Sequence, residues 1–205
     1  MLYQRGMLVF HAAAAATPQG AVLIAGDSAC GKSTILAALL AAGRALLADD
    51  LDPVRIDDVG EAFSLPTSGE VVLWQRSLDI LGAVSPEPWR LRPTWRPNRQ
   101  VADFRDRLAG TLVPLRAAIC LKPRSDGTHK VDVIQGWRRL AWLGGITYNY
   151  RVLEALAPPL AYFRCAAALG RAVECKTLHY PLGERGLEML SAKLIGALTG
   201  LDARK

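Results

Sequence analysis

The stretch AVLIAGDSACGKSTILAALLAAG, from Ala21 to Gly43, decides the fold of this chain. It opens with a continuous apolar run, Ala21 to Ala25, which is typical of a strand buried on both faces. A glycine-containing turn follows, and the run from Ser33 to Ala42 predicts a helix that ends at Gly43. The stretch therefore predicts strand, loop and helix in succession, which is the beginning of an α/β fold.

The loop between that strand and that helix matches the phosphate-binding pattern GxxxxGK[ST]. Its glycines let the chain curl so that successive backbone amides point inward, and the helix adds the positive end of its dipole. Lys32 is expected to bridge the β- and γ-phosphates of a nucleotide, and the Ser33 hydroxyl to ligate Mg²⁺. The alternative is a turn that binds nothing. We predict a nucleotide site, the P-loop, formed by Gly26, Asp27, Ser28, Ala29, Cys30, Gly31, Lys32, Ser33 and Thr34.

Two acids follow the next apolar run. Ala45 to Ala48 predicts a strand that completes a βαβ unit, and Asp49 and Asp50 come directly after it. Ligands of open α/β sheets bind at this edge, so one carboxylate is expected to orient Mg²⁺ and the other to accept a proton from a substrate hydroxyl. The alternative is a solvated turn. His11, at the end of a predicted strand that starts at Met7, is a weaker candidate for the site.

The segment 86–99 differs from the rest of the chain, because four prolines alternate there with tryptophan and arginine. That density of proline argues against a helix or a central strand and predicts a mobile basic loop. The remaining pattern predicts helical turns at 77–81, strands at 115–121 and 130–135 joined by a turn at 125–127, helices at 137–143, 148–156 and 160–169, a strand near 172–178 and a helix at 184–198. We therefore predict a single domain, residues 1–205.

Composition narrows the class of protein. The chain has 205 residues, of which 51% are hydrophobic and 21% charged, a mixture that excludes a disordered chain. No apolar run is long enough to span a membrane, and the four cysteines lack zinc-like spacing, so we expect a cytoplasmic protein. The net charge of +6 favours an anionic partner. Since no nucleic-acid-binding motif is present, we expect nucleotide phosphate rather than nucleic acid.

Three motifs in this order resemble the catalytic domain of the HPr kinase/phosphorylase family. They are LVFHA with His11, GDSACGKST with Lys32 and Ser33, and LLADD with Asp49 and Asp50. The chain is more similar still to the shorter kinases of that superfamily found with peptide-modification genes, including lasso-peptide precursor kinases. Weaker similarity continues through VLWQRSLDILG, RPNR and TLHYPLGERGLEML, and so covers most of the chain.

The resemblance implies a compact P-loop kinase fold of the α/β class, with a mixed sheet and flanking helices. It implies transfer of the γ-phosphoryl group of ATP, with Mg²⁺, to a serine of a peptide or small protein such as a lasso-peptide precursor. In that family the residue that matches Asp49 is the base, and the residue that matches His11 lies beside it. The residues that match Asp50 and Ser33 belong to the metal and phosphate environment. We also predict a catalytic role for Lys32. Arg99 falls where related kinases tend to carry a basic residue, so we expect it to contact phosphate.

The chain also departs from the family. No separate N-terminal domain precedes the kinase motifs, and the Gly-rich signature segment is not found between Asp52 and Gly69. Both departures count against HPr itself as the acceptor and against phosphorylase activity. A kinase of a nucleoside, amino acid or metabolite and a nucleotide-sensing regulator without transfer remain alternatives. Since family members often assemble, a homo-oligomer is also an open expectation.

Overall fold

A computed structural model describes residues 2–84, 89–156 and 159–183. Its strands are β1 Leu8–Thr17, β2 Gly20–Gly26, β3 Ala45–Ala48, β4 Leu51–Ile56, β5 Ala62–Ser64, β6 Glu70–Trp74, β7 Leu91–Pro93, β8 Arg99–Asp103, β9 Val113–Arg124, β10 Lys130–Ile134 and β11 Glu174–Pro181. Its α-helices are α1 Lys32–Ala41, α2 Gln75–Val84, α3 Trp137–Ile146, α4 Tyr150–Leu156 and α5 Pro159–Ala172. The chain thus contains runs of two to four strands separated by α1 and by α2, followed by the group of helices α3 to α5 and by β11.

Eight strands form one mixed sheet in the order β10-β11-β9-β2-β1-β4-β5, with β3 paired to β1 off this path. Strand β9 is parallel to both of its neighbours in that row, β2 and β11. Strand β10 is antiparallel to β11, and β1 is antiparallel to β2, β3 and β4. Strand β5, at the end of this row, also pairs with the beginning of β9, a strand in the middle of the row. The predicted fold class, a mixed sheet with flanking helices, is confirmed.

The predicted βαβ unit has an extra strand inside it. Strands β2 and β3 both pair antiparallel with β1, so they run in the same direction on either side of it and are not neighbours. Strand β1 is also longer than predicted, because Ala12 to Ala15 are buried and continue the pairing beyond His11. Since β1 runs the opposite way, its first half lies at the edge where β2 and β3 end.

Side-chain burial explains the continuous apolar run of β2. Val22 and Ile24 pack in one cluster with α1, and Leu23 and Ala25 pack in a second cluster on the other face. Both faces of the strand are therefore core, which removes any reason for polar alternation. The second cluster includes residues of α3, α4 and α5, so helices cover the sheet on both sides.

A second, three-stranded antiparallel sheet in the order β6-β8-β7 packs against α1. The prediction of a loop over 86–99 is therefore wrong for part of that segment. Leu91–Pro93 is a strand that pairs with β8, and β8 itself begins at Arg99. Pro93 is tolerated because it ends a short strand at the border of this sheet. Trp89 packs edge-on against Phe104, with ring centroids 5.0 Å apart. Residues 85–88 lie outside the described residues.

The remaining predicted elements are present with different bounds or partners. The turns predicted at 77–81 belong to the longer helix α2. Strands β9 and β10 are both present, but β11 lies between them, so the turn at 125–127 does not make a hairpin. The helix predicted at 184–198 lies outside the described residues. Within the part of the chain that the structure describes, no helix is long and apolar enough to cross a membrane.

Candidate active site

The P-loop joins the end of β2 to the start of α1. Gly26 has φ +144°, and a Cβ there would lie 2.7 Å from Cys30 Sγ and 2.8 Å from the Leu121 carbonyl oxygen. Gly31, with φ +93°, is the residue just before α1, and no side chain caps the helix there. Because the first amides of a helix have no intrahelical acceptor, this end of α1 offers its N–H groups to an anion.

Lys32 is 9% exposed, and its ammonium group is held across the P-loop. Nζ donates to the carbonyl oxygen of Gly26 at 3.0 Å and to that of Asp27 at 3.1 Å. An ammonium group has three donors, so these two bonds leave one for a ligand. The side chain is therefore fixed at the place where the motif requires a positive charge.

The other side chains of the P-loop have separate surroundings. Those of Asp27, Ser28 and Ala29 are exposed, and Asp27 Oδ2 lies 3.6 Å from Lys122 Nζ. Thr34 is buried and its hydroxyl shares a 2.7 Å hydrogen bond with that of Ser77. The Thr34 side chain thus links α1 to α2.

Cys30 is a buried packing residue. Burial raises the pKa of its thiol, which outweighs the opposite effects of the Lys32 charge and of the Lys32 backbone N–H. Its carbonyl oxygen accepts a hydrogen bond from the hydroxyl of Tyr180 on β11. The end of β11 is thereby attached to the P-loop, a contact that the sequence pattern did not indicate.

Asp49 is held by two donors at the end of β3. The Ser33 hydroxyl donates to Oδ1 at 2.9 Å, and the backbone N–H of Val72 on β6 donates to Oδ2 at 2.9 Å. Burial raises the pKa of this carboxyl, although both hydrogen bonds and Lys32 lower it. The carboxyl group therefore has a fixed orientation next to the hydroxyl of the P-loop serine.

Asp50 faces the opposite way from its neighbour. Its φ of +74° turns the side chain outward, where it is 72% exposed. Oδ1 lies 2.9 Å from Nε2 of His11, which β1 carries to this edge of the sheet. The contacts thus pair Ser33 with Asp49 and His11 with Asp50, which is the reverse of the division implied by the family resemblance.

The donor set fits magnesium bound together with a nucleotide. The Ser33 hydroxyl and the Asp49 carboxyl supply hard oxygen ligands side by side. Among the described residues no cluster of three or more His, Cys, Asp or Glu side chains forms a cage for a metal ion. Mg²⁺ commonly binds through one or two carboxylates plus substrate phosphates and water, which is the arrangement available here.

Arg99 lies near this edge without contacting the P-loop in the described part of the chain. It stands opposite Trp74 in the β6–β8 pair, and its Cζ atom is 4.0 Å from the centre of the Trp74 ring. Its Nε atom is buried and has no hydrogen-bond partner among the described residues. Strand β6 connects this pair to Val72, the residue that binds Asp49.

No protein-family model matches this chain, and no curated protein matches it. Among solved structures, the chain is similar to the Hpr(Ser) kinase/phosphatase from Coxiella burnetii. The two share 12% sequence identity with a TM-score of 0.49, over 95% of this chain and 98% of that chain. The chemistry of the site is therefore inferred from the residues of this chain.

Proposed function

We propose that this chain is a P-loop kinase that uses ATP and Mg²⁺ to phosphorylate a hydroxyl group, namely a serine of a peptide or small protein. One observation carries the proposal: a P-loop lies beside two adjacent acids, one bonded to its serine and the other exposed and paired with a histidine. A nucleotide sensor needs the first acid only. The exposed Asp50–His11 pair favours transfer, because it offers a base to an incoming hydroxyl.

The P-loop residues bind the donor in this proposal. The amides at the start of α1 and the Lys32 ammonium bind the phosphates, and Ser33 with Asp49 binds the metal ion. When bound, Mg²⁺ neutralises charge that develops on the β- and γ-phosphate oxygens. Asp49 suits this part because Ser33 and Val72 already fix both of its oxygens.

Asp50 is the proposed base. It accepts the proton of the acceptor hydroxyl as the new O–P bond forms and the bond to ADP breaks. His11 Nε2 orients the carboxylate through the bond to Oδ1 and is a positioning residue. The resemblance implied Asp49 for this role, but the side chain of Asp50 is the more accessible of the two.

Asparagine substitutions distinguish the two acids. We expect Asp50→Asn to retain Mg²⁺-dependent binding of ATP and to lose transfer by about a hundredfold or more, since only a base is removed. We expect Asp49→Asn to lose the Mg²⁺ dependence of binding. Binding is measured by calorimetry with and without Mg²⁺, and transfer by mass spectrometry of serine peptides treated with ATP.

The opposite result would overturn the assignment. If Asp50→Asn transferred phosphate as fast as the unaltered chain, Asp50 would not be the base. A small-molecule acceptor would change only the pocket next to Asp50, and free serine and nucleosides in the same assay test it. The lasso-peptide precursor implied by the resemblance is the acceptor class that we would test first among natural peptides.

A further inference from the structure

Strand β6 has one unpaired edge. Within the described residues it pairs only with β8, at the border of the three-stranded sheet. The N–H of Val72 points away from β8, since it donates to Asp49. In an antiparallel pair every second residue points its backbone groups to the same side, so those of Trp74 point to this edge as well. Because the N–H of Val72 is bound to Asp49 and α2 begins at Gln75, the edge offers the N–H of Trp74 and the carbonyl oxygen of Val72 to another chain.

This edge leads directly into the proposed site. Val72 N–H lies 2.9 Å from Asp49 Oδ2, and Asp50 is the next residue of the chain. Trp74 lies two residues further along β6, which is about 7 Å for an extended strand. A strand laid along this edge would therefore bring one of its side chains close to the acids while its neighbours lie beside Trp74.

The surface around the edge is apolar and positively charged. The side chains of Val72 and Trp74 are 41% and 44% exposed. Arg92 of the same sheet and Arg105, two residues after β8, are neutralised by ion pairs with Glu70 and Asp103. By contrast, no ion pair with a carboxylate is found for Arg96 or Arg99 among the described residues, and each stacks on a tryptophan, Arg96 on Trp95 and Arg99 on Trp74.

We propose that the acceptor is an extended peptide with acidic residues near its serine, which binds as an added strand along the free edge of β6. Main-chain hydrogen bonds to β6 would provide affinity, and the serine would be directed to Asp50. The arginines that lack a carboxylate partner favour acidic flanking residues by charge complementarity. This inference rests on the proposed function and identifies the class of its substrate.

The first test uses synthetic nonapeptides with a central serine and acidic, neutral or basic flanks. We expect the acidic peptides to have a KM at least about tenfold below that of the basic ones, with little change in the KM for ATP. N-methylation of every second peptide amide removes the hydrogen-bond donors from one edge of the bound peptide strand and leaves those of the other edge. Methylation of the set that faces β6 should raise KM at least tenfold, and methylation of the other set should leave it within about threefold.

The second test changes the edge itself. Trp74→Pro removes one edge N–H, whereas the matched control Trp74→Ala removes the ring and keeps the N–H. We expect the methylation effect to shrink in Trp74→Pro and to persist in Trp74→Ala. If Trp74→Pro does not fold, as judged by circular dichroism, the methylated peptides still decide the question.

Four results would overturn the inference: equal effects of both methylated sets, indifference to charge, phosphorylation of small molecules alone, or a dimer that Trp74→Pro converts to a monomer. In each case Mg²⁺-dependent ATP binding and transfer to some hydroxyl would leave the kinase proposal standing. Absence of ATP binding would instead show that the proposed function itself has failed.

Discussion

Asp49 and Asp50 are adjacent in sequence but have different surroundings. Asp49 is held by Ser33 and by the amide of Val72, whereas Asp50 is exposed and its carboxylate is paired with His11. The difference arises from the left-handed backbone of Asp50, which turns two successive side chains in different directions. Pairs of acids with unlike surroundings commonly take unlike roles in a reaction, which supports one metal ligand and one base.

The sequence predicted which residues gather at this site but not how they pair. The P-loop motif and the Asp-Asp pair are local patterns, so Lys32, Ser33 and both acids were identifiable. The Val72 amide and the Tyr180 hydroxyl reach the site from β6 and β11, and no local pattern specifies such long-range contacts. The backbone angle of Asp50 is likewise set by the packing of β3, β4 and β1 around it.

Asp52 gives a prediction about stability. It is fully buried, Ser64 donates to its Oδ1 at 2.6 Å, and its Oδ2 has no hydrogen-bond partner among the described residues. Burial raises its pKa to about 8, against about 3.9 in an unfolded chain. The folded state therefore binds the proton more tightly, and this contribution to stability is complete below about pH 4 and is lost as pH rises toward 8.

We expect Asp52→Asn to be more stable than the unaltered chain at pH 8 by at least about 1 kcal/mol, which is about 2–4 °C in Tm at this size. The difference should shrink as pH falls to 5, since the unaltered carboxyl is then protonated. Thermal unfolding between pH 5 and pH 8 measures it. Asp58→Asn, at an exposed position, is the matched control. A lower Tm for Asp52→Asn at pH 8 would show that the buried group is ionised and stabilising.

At the scale of elements, the insertion of β1 between β2 and β3 assembles the site. It places His11 on the same edge as the P-loop and the acids, although β1 precedes both in the chain. Apolar runs predicted the strands themselves. Their order could not be predicted, because a run of alanines fits equally well next to several partners and pairing is decided by packing across the whole sheet.

The turn from β2 into α1 gives the second stability prediction. Gly26→Ala places a Cβ at 2.7 Å from Cys30 Sγ and at 2.8 Å from the Leu121 carbonyl oxygen, in a backbone conformation that L-residues rarely adopt. We expect a loss of at least about 2 kcal/mol in the free energy of unfolding and at least tenfold weaker ATP binding. Denaturant unfolding and calorimetry measure the two effects.

Gly145→Ala in α3 is the control for this variant, because a Cβ there meets nothing within 4 Å. We expect it to be neutral or more stable by up to about 1 kcal/mol, since alanine favours a helix over glycine. Equal effects of the two substitutions would mean that the close approach at Gly26 does not constrain the P-loop.

At the scale of the whole molecule, the two sheets share α1. The large sheet supplies the P-loop and the acids, and the small sheet supplies the amide that fixes Asp49. Part of the positive charge in segment 86–99 therefore lies on this small sheet, with Arg92 on β7 and Arg99 on β8. Its arrangement in strands was hidden from sequence analysis, since proline-rich segments are typical of loops and only pairing with β6 and β8 orders this one.

The central claim is that this chain transfers the γ-phosphoryl group of ATP to a hydroxyl, and transfer itself tests it most directly. The chain is incubated with γ-labelled ATP, Mg²⁺ and serine peptides, beside Lys32→Ala and the control Lys130→Ala, whose lysine lies on β10. We predict label on a peptide serine with the unaltered chain and with Lys130→Ala, and at least a hundredfold less with Lys32→Ala, because the phosphates lose their fixed cation. Equal labelling with Lys32→Ala, or no labelled acceptor of any class despite ATP binding, would contradict the account.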